Sequence, residues 1–127
     1  MNGKNMRTPL GRARGLGSAK DGVHHWWMQR LTAIALVPLC LWFVASLVRV
    51  AGADHAATVA WIGSPLVAIM LILLVIAGFY HAALGLRVVI EDYVGSETVK
   101  QVTLILMQFA CIALGVATVF SILKLAL

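Results

Sequence analysis

Three long apolar runs set the character of the chain. Residues 31–48, 56–86 and 101–123 contain no lysine, arginine, aspartate or glutamate. The hydrocarbon core of a bilayer, about 30 Å thick, is crossed by roughly 20 helical residues, so each run is long enough. None of them alternates apolar with polar residues in the manner of a transmembrane β-strand. In lipid the backbone has to satisfy its own hydrogen bonds, which leaves the helix as the spanning element. The pattern therefore predicts an all-α fold of three transmembrane helices, near 29–50, 65–92 and 99–125. Pro65 suits the first turn of the second span, where no backbone donor is needed.

Composition strengthens this reading. The chain has 127 residues, of which 61% are hydrophobic and 12% charged. A soluble domain of this length keeps too large a share of its surface in water to hide so much apolar area. The charges are pushed to the ends of the runs, and their sign predicts orientation. Lys4, Arg7, Arg12, Arg14, Lys20 and Arg30 precede the first span, and Arg87 and Lys100 flank the loop after the second. Only Arg49 and Lys124 fall on the other side. By the positive-inside rule the N-terminus and the loop before Lys100 face the cytoplasm.

Residues 1–20 are rich in glycine, arginine and lysine. They read as a flexible basic segment in front of a transmembrane domain over 21–127, able to touch anionic lipid head groups. Basic charge alone would also suit nucleic acid, but no aromatics are interleaved and no motif is present, so no nucleic-acid partner is expected. Ala51-Gly52-Ala53 has the small residues of a signal-peptidase site, yet the segment before the first run is too long for a signal peptide. An organelle transit peptide is a second alternative, since Asp21 is the first acid in the chain. Cys40 and Cys111 stand singly inside spans, without the spacing of a metal site. Trp26, Trp27 and Trp61 suit membrane interfaces.

Chemistry concentrates in residues 78–94, GFYHAALGLRVVIEDYV. His81 lies deep in the second span, and an intramembrane histidine needs a partner. Gly78, Ala82 and Gly85 fall in one sector beside it at 100° per residue. Such a recess admits either a flat haem with a histidine nitrogen on iron or a closely packed helix. One histidine gives one axial ligand, and His24, His25 and His55 lie at or beyond the membrane edges, so a six-coordinate haem requires a second chain. Asp92 follows His81 by three helical turns, about 16 Å along the axis. A phenol beside an acid at the membrane edge can serve a quinone: Tyr93 donating to a carbonyl oxygen, Asp92 orienting the phenol or relaying protons. Alternatively, Glu91, Asp92 and Tyr93 simply end the helix at the interface.

Two blocks carry a resemblance. Residues 22–36, GVHHWWMQRLTAIAL, and residues 81–94, HAALGLRVVIEDYV, are similar to the hydrophobic membrane anchor subunits of succinate dehydrogenases. The likeness runs from about Gly17 to the end of the chain. It implies an anchor within a heteromeric haem b bundle, assembled with a cytochrome b membrane subunit, an iron–sulfur subunit and a flavoprotein subunit. A bacterial inner membrane is expected over a mitochondrial one, since no processing site is evident. His81 would be an axial ligand of haem b. Tyr93 would hydrogen-bond ubiquinone, with Asp92 near it. Arg30 and His24 would approach the haem propionates. His25 stands where some relatives carry an acid and receives no role, and the long basic N-terminus lies outside the shared pattern. Flavin and iron–sulfur centres belong to the partners, because this chain has neither a dinucleotide fingerprint nor a cysteine cluster. Two rivals remain: a haem-free anchor or assembly subunit of a related fumarate reductase, with His81 a packing residue, and a small self-assembling transporter. The absence of any acid inside a span speaks against the transporter.

Overall fold

A computed structural model of the chain describes residues 8–15 and 20–127. Much of the basic segment 1–20, including Lys4 and Arg7, lies outside the described residues. Five helices follow one another: α1 (Pro9–Ala13), α2 (Lys20–Val50), α3 (His55–Gly63), α4 (Pro65–Tyr93) and α5 (Glu97–Ala126). Of these, α2, α4 and α5 are long and apolar enough to cross a membrane. The protein is an all-α, multi-pass membrane protein, and the described residues contain no strand.

The surface explains why a bilayer is required. Ile34, Leu41, Val48, Leu66, Phe109 and Phe120 project outward, each 66–72% exposed. The interior is thin by comparison. Ala68, Leu71 and Ile122 are its buried apolar residues, with Trp42, Phe43 and Val75 packed on them. Apolar side chains facing lipid cost nothing, so helix contact here depends on close packing of small residues and on polar contacts between helices.

The three long helices form a row with α4 in the middle. Its N-terminal end follows Ser64 at the N-cap, with Pro65 in the first turn as expected. Gly78 of α4 faces Leu36 of α2, and Gly85 faces Gln29. The paired residue numbers run in opposite directions, so α2 and α4 are antiparallel. On the other flank Phe79 lies against Gly115 of α5. No Cα atoms of α2 and α5 come within 8 Å of each other. Pro38 sits inside α2, which continues through it; in a membrane helix neighbouring groups compensate the lost backbone donor.

The short α3 is absent from the sequence reading. Gly52, at φ 88°, turns the chain out of α2 in a conformation that glycine tolerates. Asp54 then caps the next helix, its side chain accepting from the Ala57 N–H at 2.8 Å. At its far end α3 meets α5. A Cβ on Gly63 would lie 2.9 Å from the Leu125 carbonyl oxygen. Gly63→Ala is therefore expected to destabilise the protein. Helix propensity would return at most about 1 kcal/mol, whereas overpacking against backbone costs about 1–3 kcal/mol. Thermal unfolding of the purified protein should show a lower midpoint for the variant; an equal or higher one would mean that the end of α5 yields freely.

Candidate functional site

His81 lies on the face of α4 that meets α2, where it is half-buried. Its Nδ1 is 2.9 Å from Thr32 Oγ1, and its Nε2 is 3.4 Å from Gln29 Nε2. Thr32 is buried, at 7% exposure. Its hydroxyl also lies 2.7 Å from the Met28 carbonyl and 3.1 Å from that of Gln29. A hydroxyl has one proton to donate and lone pairs that accept. With both carbonyls able only to accept, the Thr32 proton goes to its own helix and the His81 Nδ1–H donates to Oγ1. Nε2 then carries the free lone pair, consistent with the Gln29 amide N–H pointing at it. The Gln29 Oε1 atom is buried without a hydrogen-bond partner, as is His25 Nε2.

This geometry bears on the recess beside His81. Gly78 and Gly85 both turn toward α2, at 4.0 Å from Leu36 Cδ2 and 3.6 Å from Gln29 Nε2 for an added Cβ. Ala82 faces outward and is exposed. Within this chain the glycines thus receive a helix. The donor chemistry fits iron: a ring that donates from Nδ1 to Thr32 leaves Nε2 as the nitrogen able to bind a metal. The Gln29 amide is the group that would have to turn aside, and its unpartnered oxygen means that little is lost when it does.

The other candidate residues are spread along α2 and α4. His24 and His25 line an open cleft of about 570 Å³ together with Tyr80, Arg87, Glu91 and Gln108. Along its α4 wall Arg87 Nε donates to Glu91 Oε1 at 2.9 Å. Both partners are half exposed, so the pair stabilises by a few tenths of a kcal/mol, about the value of a helix i,i+4 pair. Arg30 lies elsewhere. Its guanidinium stacks 4.2 Å above the Trp26 ring, and Trp26 meets Trp27 edge-on at 5.2 Å. Six residues separate His24 from Arg30, which places them about 120° apart around α2. The structure does not bring these two basic groups together.

Asp92 and Tyr93 lie at the C-terminal end of α4, the same end of the antiparallel pair as His24. Tyr93 is the last residue of α4 and is 85% exposed; Asp92 is exposed beside it. Among the described residues neither side chain makes a hydrogen bond to the other or to a third group. Val94 ends the helix through its N–H to the Ile90 carbonyl at 3.0 Å, and α5 begins at Glu97. Both side chains therefore stand free at the head of a short turn, on the same continuous helix as His81.

Thr32 and Gln29 are the residues that sequence reading missed. Both fall inside the block 22–36, and their spacing of three puts them on one face of a helix. An amide and a hydroxyl on one face of a largely apolar helix, with an intramembrane histidine on the next, was the available signal.

The sequence pattern of the succinate dehydrogenase/fumarate reductase transmembrane subunits matches residues 4–121. A succinate dehydrogenase hydrophobic membrane anchor subunit of Rickettsia conorii is 33% identical over 118 residues, covering 92% of this chain and 94% of that one. The Rickettsia bellii protein of the same description is 34% identical over 117 residues, with the same coverage. That of Paracoccus denitrificans is 37% identical over 93 residues, 73% of this chain and 72% of its own. No solved structure is a significant match.

Proposed function

The chain belongs to the family of succinate dehydrogenase/fumarate reductase transmembrane subunits, and from that premise we infer that it anchors a succinate dehydrogenase, shares haem b through His81 and forms one wall of a ubiquinone pocket through Tyr93 and Asp92. The observation that carries this reading is the placement of His81 within the span and Tyr93 at the end of the same unbroken helix, α4. Haem b, when bound, supplies a one-electron carrier.

The residues of this chain have distinct tasks. His81 would offer Nε2 to the haem iron, with a residue of the cytochrome b subunit completing the iron's coordination. Tyr93 presents a phenol O–H to a quinone carbonyl, and Asp92 beside it can hold or move a proton at that oxygen. His24 and Arg30 would present N–H donors to the propionates, each on its own side of α2. The iron–sulfur and flavoprotein subunits bind at the cytoplasmic face, which the excess of bases assigns to the N-terminus and to the turn after Tyr93. The membrane is then a bacterial inner membrane.

A second reading has its own support. Thr32 and Gln29 already occupy both ring nitrogens of His81, and α2 fills the glycine recess. This is the arrangement of a haem-free anchor in which His81 packs two helices together. A reduced-minus-oxidised spectrum of the complex purified through this chain separates the two. A b-type haem band in proportion to flavin is expected; its absence, with the same partners present, would leave the plain anchor.

A further inference from the structure

We propose that Thr32 is a positioning residue for His81, fixing the ring so that Nε2 is the nitrogen offered to iron, and that Gln29 is the side chain displaced when iron arrives. The inference rests on the reading of His81 as a haem ligand and extends it to residues of α2.

Three observations carry it. The Thr32 hydroxyl is buried and held in place by two carbonyls of its own helix, at 2.7 and 3.1 Å. It therefore cannot rotate to donate to His81 without giving up both contacts, and it acts on the imidazole as a fixed acceptor. The bond to Nδ1, at 2.9 Å, is well formed, whereas the Gln29 contact to Nε2, at 3.4 Å, is long and weak. One ring nitrogen is anchored and the other is lightly covered. Finally, Gln29 leaves Oε1 buried and unpartnered, so its amide gains by moving toward a polar group or water.

The consequence concerns the iron. A ligand histidine that donates its other N–H to a fixed acceptor keeps its orientation and becomes more basic, which favours the ferric state. Valine has the shape of threonine without the hydroxyl. In Thr32→Val the imidazole loses its acceptor, and the ring is free to tilt or to change tautomer. Serine keeps the oxygen.

The test uses the whole complex carrying Thr32→Val, Thr32→Ser or His81→Ala. Two quantities are read: the haem midpoint potential, and the haem retained against a competing haem acceptor. Thr32→Val is expected to raise the midpoint and to weaken retention by about 10–100-fold, and Thr32→Ser to restore both. If His81→Ala strips the haem but Thr32→Val matches the unaltered complex in both quantities, the ligand reading stands and the positioning role is overturned. If His81→Ala leaves the haem in place, the ligand reading itself fails and takes the proposal with it. Should Thr32→Val not assemble, nitrogen-15 spectra of the haem-free full chain decide instead. Protonated Nδ1 and bare Nε2 on His81 are expected, and the opposite tautomer overturns the proposal.

Discussion

Replacing His81 with alanine is expected to strip haem from the assembled complex. The substitution removes the one imidazole that lies deep within a described span and leaves nothing nearby to take its place: Thr32 and Gln29 bind iron poorly, and Cys40 lies further along α2, exposed. On the proposed reading, the haem iron would then be held by the partner subunit alone. The protein itself should tolerate the change better than the cofactor does. Thr32 keeps its two carbonyl contacts, and Gln29 gives up a weak one, so the cost in unsatisfied polar groups stays near the lower end of about 1–3 kcal/mol. Haem-to-flavin ratio in the purified complex is the measurement. A ratio equal to that of the unaltered complex would return His81 to a packing role.

Tyr93→Phe tests the C-terminal end of α4 and should leave haem content unchanged. A side chain 85% exposed contributes little to folding, and substitutions at such positions usually alter stability by no more than about 0.5 kcal/mol. Any effect therefore reports on what Tyr93 touches in the assembly. A hydrogen bond to the quinone carbonyl that strengthens as charge develops on oxygen is worth roughly 1.4 kcal/mol or more, about tenfold in rate. Quinone reduction is expected to fall by that factor, while succinate oxidation by a soluble dye that bypasses the membrane stays constant. Equal losses in both assays would point to faulty assembly, and unchanged quinone kinetics would remove Tyr93 from the pocket.

Much of this architecture was legible in the chain, for identifiable reasons. Hydropathy reports what lipid demands, and it found the runs that became α2, α4 and α5. It is blind to helix that extends beyond the membrane. Residues 20–28 include Lys20, Asp21, His24 and His25, so the expected start near 29 fell short of the actual start at Lys20. The same blindness hid α3. Its residues, HAATVAWIG, are neither long enough to span nor distinct in pattern, and the cap at Asp54 was its clearest mark. Within the site, His81 stood out because burying an ionisable group is costly. Its partners did not, since threonine and glutamine in a helix usually need no explanation. Only the pairing of α2 with α4 brings Thr32 to His81, and a single sequence carries no direct record of pairing.

The unbroken course of α4 from Pro65 to Tyr93 makes the chain unequally tolerant of changes in length. Twelve residues separate His81 from Tyr93, and each adds about 1.5 Å and 100°. One residue inserted between them would swing the phenol through more than a quarter turn relative to the imidazole, with no loop to absorb it. One inserted in the turn around Gly52 would be taken up there. Substitution along α4 alters a contact; insertion or deletion alters the spacing between two sites at once, so this stretch works as a ruler whose graduations are backbone, not side chain.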